Sequence, residues 1–362
     1  MATPTRKRRL AADHFLTLAA SGLRTPIGTD LVLHDRPDPE AVRLDGKRLA
    51  GVVREAGERY RTPLAIPIMD LRVEKADLVH RLRPDVAQTD TFHFESPPSP
   101  ADLERARETE GTPLLPLHRA HCDAIAEIAS RPGLTPFGIS IGPFSLTTKL
   151  LADPIGAVAL AGRGAPAEDE PLVAAAERAL ALAELAVRRS LRAQAGAGAA
   201  ALIVCEPAAS ALFVSPRQMA QGSPVFDRFV VEPLLRLKAL LDDEGVDLFL
   251  HDCGEPTTAM VEALASRVHP AVLSLGSSRR LWEDAAVVPP AVVLFGNLPT
   301  KHFYSDETLP LEAVRAKTRE LVARMREAGH PFILGSECDV LHVPEAAATI
   351  RRKVEAMLAE EA

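Results

Sequence analysis

Four cysteines in a chain of 362 residues are too few for a secreted disulfide scaffold. Reduced thiols, free for a metal or for catalysis, fit that number better. No uninterrupted apolar run approaches the roughly 18–20 residues that a membrane span needs. The alanine-rich stretch over residues 172–201 carries Glu177, Arg178, Glu184, Arg188 and Arg189 and reads as a soluble helix. A positive excess is missing too: 42 Lys and Arg stand against 49 Asp and Glu, a formal charge of −7. That balance offers nucleic acid phosphates no broad attraction. The Arg6–Arg9 run reads as a solvated tail, and no signal-peptide core follows it. The segment Phe15-Leu-Thr-Leu-Ala-Ala is too short and is broken at once by Ser21-Gly22 and Arg24. These features predict a cytoplasmic protein with neither nucleic acid nor membrane as partner.

What is present is a large core's worth of apolar residues, 47% of the chain, with 25% charged. The length suits two domains or one large barrel with extensions. Short runs that are apolar on both faces alternate with helical patterns, as in a buried parallel sheet. They lie at 64–69, 136–142, 199–206, 247–253, 271–275, 291–296 and 331–336, with a weaker one at Asp90-Thr-Phe-His-Phe-Glu95. Amphipathic patterns lie near 101–130, 170–196, 216–244, 256–267, 310–328 and 345–361. Ser215-Pro216 reads as a helix start and Gly329 as a helix stop. Eight strands, most followed by a helix, predict an α/β fold, a (β/α)8 TIM barrel over residues 61–362. A doubly wound open sheet is the alternative, but no Gly-x-Gly-x-x-Gly turn follows an early strand. Residues 1–60 read as an N-terminal helical extension, with patterns near 8–20 and 39–60, that caps one end of the barrel. Gly162–Pro171 reads as a mobile loop.

A barrel carries its active site at the C-terminal ends of its strands. Those ends bear Asp70, Glu95, Gly142, Glu206, His251 with Cys253, Ser274, Asn297, and Ser336 to Cys338. On a strand, residues two apart project to one face, so His251 and Cys253 can reach one ion. Cys338 ends the last strand and can face them across the mouth. Three such ligands with one open position suit a catalytic zinc site. A buried thiol beside a hydrogen-bonded core histidine explains the same local string.

His251-Asp-Cys-Gly254, Phe295-Gly-Asn-Leu-Pro299 and Ile333-Leu-Gly-Ser-Glu-Cys-Asp339 resemble the uroporphyrinogen decarboxylase superfamily. More narrowly, they resemble its zinc-dependent, corrinoid-linked branch of methylcobamide:coenzyme M methyltransferases. Pro67-Ile-Met-Asp-Leu-Arg-Val-Glu-Lys-Ala76 and Glu206-Pro-Ala-Ala-Ser210 resemble that branch's early and central motifs, so the likeness spans roughly residues 60–360. The resemblance implies zinc held by His251, Cys253 and Cys338. It implies a methyl group moved between a corrinoid (methylcobalamin) protein and a small-molecule thiol or methylated substrate. Glu206 is then a candidate fourth ligand or proton acceptor, although a helix-starting carboxylate near Ser210–Ser215 reads as well. Asp70 is a second candidate catalytic carboxylate, and Asn297 and Ser336 are candidate contacts for substrate or cofactor. Asp252 is expected to point away from the ion. The branch usually has glycine where Glu337 stands. The alternative is a uroporphyrinogen-decarboxylase-like lyase acting on a tetrapyrrole carboxylate. Its arginine-rich N-terminal segment is missing, and Ser336-Glu-Cys338 replaces its late Gly-His-Gly. His118 and Cys122 share a helix face and offer a weaker second metal site, and Trp282 and Tyr304 fall near the mouth loops.

Overall fold

The computed structural model describes residues 9–359, so Arg6 to Arg8 lie outside it. Eight parallel strands form the sheet: β1 Arg24–Ile27, β2 Leu64–Ala65, β3 Thr135–Ile141, β4 Ala201–Cys205, β5 Asp247–Asp252, β6 Val272–Leu275, β7 Val293–Leu298 and β8 Phe332–Asp339. Their order, β1-β8-β7-β6-β5-β4-β3-β2, is that of a (β/α)8 barrel. Beyond the ends of β1 and β2, the Thr29 hydroxyl donates to the Ile66 carbonyl at 2.6 Å and bridges the seam. Among the described residues no helix is long and apolar enough to cross a membrane.

Seven of the expected strands are present, and the eighth is not where the sequence pattern put it. Residues 90–95 hold a 3-10 turn, Thr89–Thr91, and one isolated bridge from Phe94 to Leu151. The alternating Phe92 and Phe94 rings pack edge to face with centroids 5.0 Å apart rather than lining a sheet. The missing strand is β1, inside the segment read as a helical extension, so the barrel begins well before residue 61. Pro26 hides it, because a residue without an N–H argues against a sheet interior. The chain tolerates it here because β1 pairs only with β8.

The interior of the barrel is a separate apolar cluster that includes Ile27, Ile66, Phe137, Ile203, Phe249, Phe295 and Ile333. Phe249 meets Phe137 at 6.1 Å and Phe295 at 5.2 Å, both edge-on. Phe15, on the helix His14–Ala20, joins this cluster against Phe137 at 6.2 Å and is only 4% exposed. That helix plugs the N-terminal end of the barrel and leaves the C-terminal end for chemistry.

Gly162–Pro171 joins two helices, Pro154–Gly162 and Pro171–Gly196. The second helix is clamped to β3 by Gln194, whose amide donates to the Ile139 carbonyl at 2.9 Å and accepts from its N–H at 2.8 Å. Gly138 makes room for this clamp, since a Cβ there would lie 2.3 Å from Gln194 Oε1 and 2.4 Å from Leu202. Gly138→Ala is expected to destabilise the fold by about 1–3 kcal/mol through overpacking. Urea unfolding measures this, and an unchanged midpoint would mean that the helix moves aside without penalty.

Candidate metal centre

His251 lies on β5, Cys253 just past its end, and Cys338 near the end of β8. One ligand atom from each lies within 4.8 Å of the other two, and this is the group of three or more ligating side chains found among the described residues. Ligands 2.0–2.3 Å from a tetrahedral zinc sit roughly 3.5–3.8 Å apart, so a small closure would bring these into place. His251 is fully buried, and its Nδ1 pairs with Ser274 Oγ at 2.8 Å. Its Nε2 is buried with no partner among the described residues. With the proton on Nδ1, held by the serine, the Nε2 lone pair is left for a cation.

Cys338 reaches the group through an irregularity. A strand alternating strictly from inward-facing Ile333 would aim residue 337, not 338, into the barrel. The β1–β8 register instead slips from Thr25 opposite Gly335 to Ile27 opposite Asp339. Such bulges re-aim side chains beside active sites. Ser336 serves this break: its buried Oγ accepts the Ile27 N–H at 2.9 Å. Ser336, expected to contact substrate or cofactor, thus also has a strand-pairing role, because its oxygen satisfies the backbone that the bulge frees.

The two thiols are coupled. A hydrogen bond from Cys253 pulls Cys338 down to about 4 against the effect of its burial, with His251 assisting. The same bond, together with burial, pushes Cys253 far up. Both sulfurs must be deprotonated to hold a divalent cation, so metal binding here would release protons. Cys205 stays out of the group: it is buried in the inner apolar cluster, and burial raises its thiol well above the ordinary value.

Glu206 is not among the ligands. It is fully buried, and its carboxylate accepts the N–H groups of Phe144, at 3.1 Å, and of Ser145. It therefore caps the helix Pro143–Leu150, a helix-end role on a different helix from the one expected after Ser215. Ser215 itself caps Pro216–Ala220. Burial raises the Glu206 carboxyl to about 7, opposed by the bonds from Ser145 and Phe144. The folded chain then holds this proton more tightly than the unfolded chain, whose carboxyl titrates near 4.5. The stabilisation is full below about 4.5 and is lost as pH rises towards about 7. Glu206→Gln lacks this dependence, so its unfolding free energy should rise relative to the parent's between about pH 5 and about pH 7. Urea unfolding at both values checks it; parallel curves would assign the proton elsewhere.

Asp70 is buried and already engaged. Burial alone would raise its carboxyl, but Arg72, bonded at 2.9 and 2.7 Å, holds it below the ordinary value. Arg43 adds a second guanidinium at 3.6 Å. Asn297 donates to the carbonyls of Gly276 at 2.8 Å and Arg279 at 2.9 Å, so its amide fixes the loop after β6. It also borders a cleft of about 920 Å³ shared with Trp282, while Tyr304 is exposed. Asp252 turns to the Gly254 N–H at 2.9 Å and lies outside the ligand group, as expected. His118 Nε2 pairs with Ser190 Oγ at 3.2 Å, and burial lowers its imidazole to about 4, which is the state of a packed core histidine. Sequence patterns gave no role to Ser274 or Glu337. The signal for Ser274 was its place at a strand end, and the structure sets it directly opposite His251.

The family model described as Uroporphyrinogen decarboxylase (URO-D) matches residues 42–357. No curated protein matches the chain. Among solved structures, a methyltransferase from Methanosarcina mazei is similar with a TM-score of 0.64 at 17% identity, over 96% of this chain and 98% of that one. That likeness is one of fold. A putative vitamin-B12-independent methionine synthase from Listeria monocytogenes gives 0.47 at 13% identity, over 93% and 94%.

Proposed function

The chain belongs to the uroporphyrinogen decarboxylase family, and from that premise we propose that it is a zinc-dependent methyltransferase. It moves a methyl group between a corrinoid carried by a partner protein and a small-molecule thiol or methylated compound. One observation carries this reading: His251, Cys253 and Cys338 converge at the barrel mouth, with the buried His251 Nε2 unpartnered. Two thiolates and an imidazole suit zinc, and the two negative charges balance a divalent ion. When bound, zinc supplies a Lewis acid that keeps a substrate sulfur deprotonated at neutral pH. The protein's own work would be to hold the ion with His251, Cys253 and Cys338. Ser274 holds the imidazole ring through Nδ1, and an apolar wall that includes Phe295 and Phe249 lies below it. The Methanosarcina mazei structure, described as a methyltransferase, is in keeping with this reading. The lyase alternative gains less support, because Asp70 spends both carboxylate oxygens on Arg72.

Metal analysis after anaerobic purification should find one zinc per chain. Methylcobalamin should lose its methyl group to a member of a thiol panel, read from the corrinoid absorption spectrum. A fully reduced chain that takes up no added zinc would sink the proposal. Zinc uptake without methyl transfer in either direction would reduce it to a metal-binding barrel.

A further inference from the structure

β5 and β8 are not neighbours in the sheet, since β6 and β7 stand between them. The ladder alone therefore does not fix the distance between Cys253, past the end of β5, and Cys338 on β8. Glu337 supplies the tie. It is 4% exposed, lies next to Cys338, and spends its carboxylate entirely on neighbouring loops. Oε2 accepts from Ser277 N at 3.2 Å and Ser277 Oγ at 2.6 Å, and Oε1 accepts from Lys301 N at 3.2 Å. Ser277 belongs to the loop after β6 and Lys301 to the turn after β7. Gly276, just before Ser277, lies flat on Cys253: a Cβ there would sit 3.0–3.1 Å from the Cys253 carbonyl group and Cα. Asn297 grips the Gly276 carbonyl from β7 and stiffens the same loop. One buried carboxylate thus ties the loops that follow β6 and β7 to β8 itself, and through Gly276 it bears on the ligand at the end of β5.

We propose that Glu337 is a positioning residue for the metal centre, setting the separation of the Cys253 and Cys338 sulfurs without itself binding the ion. This rests on the zinc reading of the site and deepens it. Residues that orient ligands in this way typically change metal affinity by about 10–100-fold when removed.

The test compares parent, Glu337→Ala, Glu337→Gln and Ser277→Ala for zinc affinity by chelator competition and for the absorption spectrum of the Co(II)-loaded protein. Glu337→Ala should lose about 10–100-fold in affinity and alter the thiolate-to-Co(II) bands. Glu337→Gln should recover part of the loss, since its carbonyl can still accept from Ser277 while its amide faces the Lys301 N–H. Ser277→Ala should lose less than Glu337→Ala, because the backbone N–H remains. Parent-like affinity and spectrum in all the variants that fold would overturn the proposal, even with a lowered unfolding midpoint, which is all a merely structural role predicts. If Glu337→Ala does not fold, the other two variants decide. A parent that binds zinc while the variants match it overturns this inference alone; a parent that binds none overturns the zinc reading as well.

Discussion

Cys338→Ser is expected to weaken zinc binding by roughly a hundredfold. Structural zinc sites bind with about 10–16 kcal/mol over four ligands, so one thiolate accounts for about 3 kcal/mol. Serine is close to isosteric and sits at a half-buried rim position, so the unfolding midpoint should hardly move. The same loss is expected for His251→Ala, with some additional destabilisation, because that ring is fully buried against Ser274. Chelator competition reads both affinities. Zinc retained at parental affinity in either variant would place the ion elsewhere and remove the basis for methyl transfer at this rim.

Asp77→Ala should cost about 3–5 kcal/mol of folding stability, the usual penalty for breaking a buried ion pair from one side. Asp77 Oδ2 accepts from Arg81 Nε at 2.9 Å and Arg189 Nε at 3.0 Å, and all three side chains are buried. Arg189 also reaches the Thr112 carbonyl at 2.8 Å and the Glu110 carbonyl, and Arg81 reaches Ala106 at 3.1 Å. The network pins the helix Pro171–Gly196 to Val73–Leu82 and to the chain beyond Pro100–Glu108. Truncation strands two guanidinium groups in a dry layer. Urea unfolding gives the loss directly; a change below about 1 kcal/mol would mean that water takes over the carboxylate's bonds.

The barrel was readable in the sequence because a parallel sheet covered on both faces leaves runs that are apolar throughout, and seven strands announced themselves this way. β1 did not, being four residues long and broken by Pro26, while Phe92 and Phe94 imitated a strand by alternation. His251 and Cys253 were legible from their two-residue spacing. Cys338 was placed by its position at the last strand's end, although strict alternation would have turned it away; the slipped register that rescues it leaves no local signature. Glu206, Asp70 and Ser336 show the limit of reading strand ends. A carboxylate or hydroxyl there serves a helix terminus, an arginine or a bulged backbone as readily as a ligand, and only three-dimensional placement tells these apart. Asp77 escaped notice because its partners are far along the chain, Arg189 being 112 residues away.

Phe15 adds a ring to an interior already filled by Phe137, Phe249 and Phe295, so among the described residues the barrel is packed through its middle and closed at its N-terminal end. Under the proposed function, both reactants would then have to approach His251, Cys253 and Cys338 from the same C-terminal face. A partner protein docked there would cover the approach, so the small reactant would have to enter first.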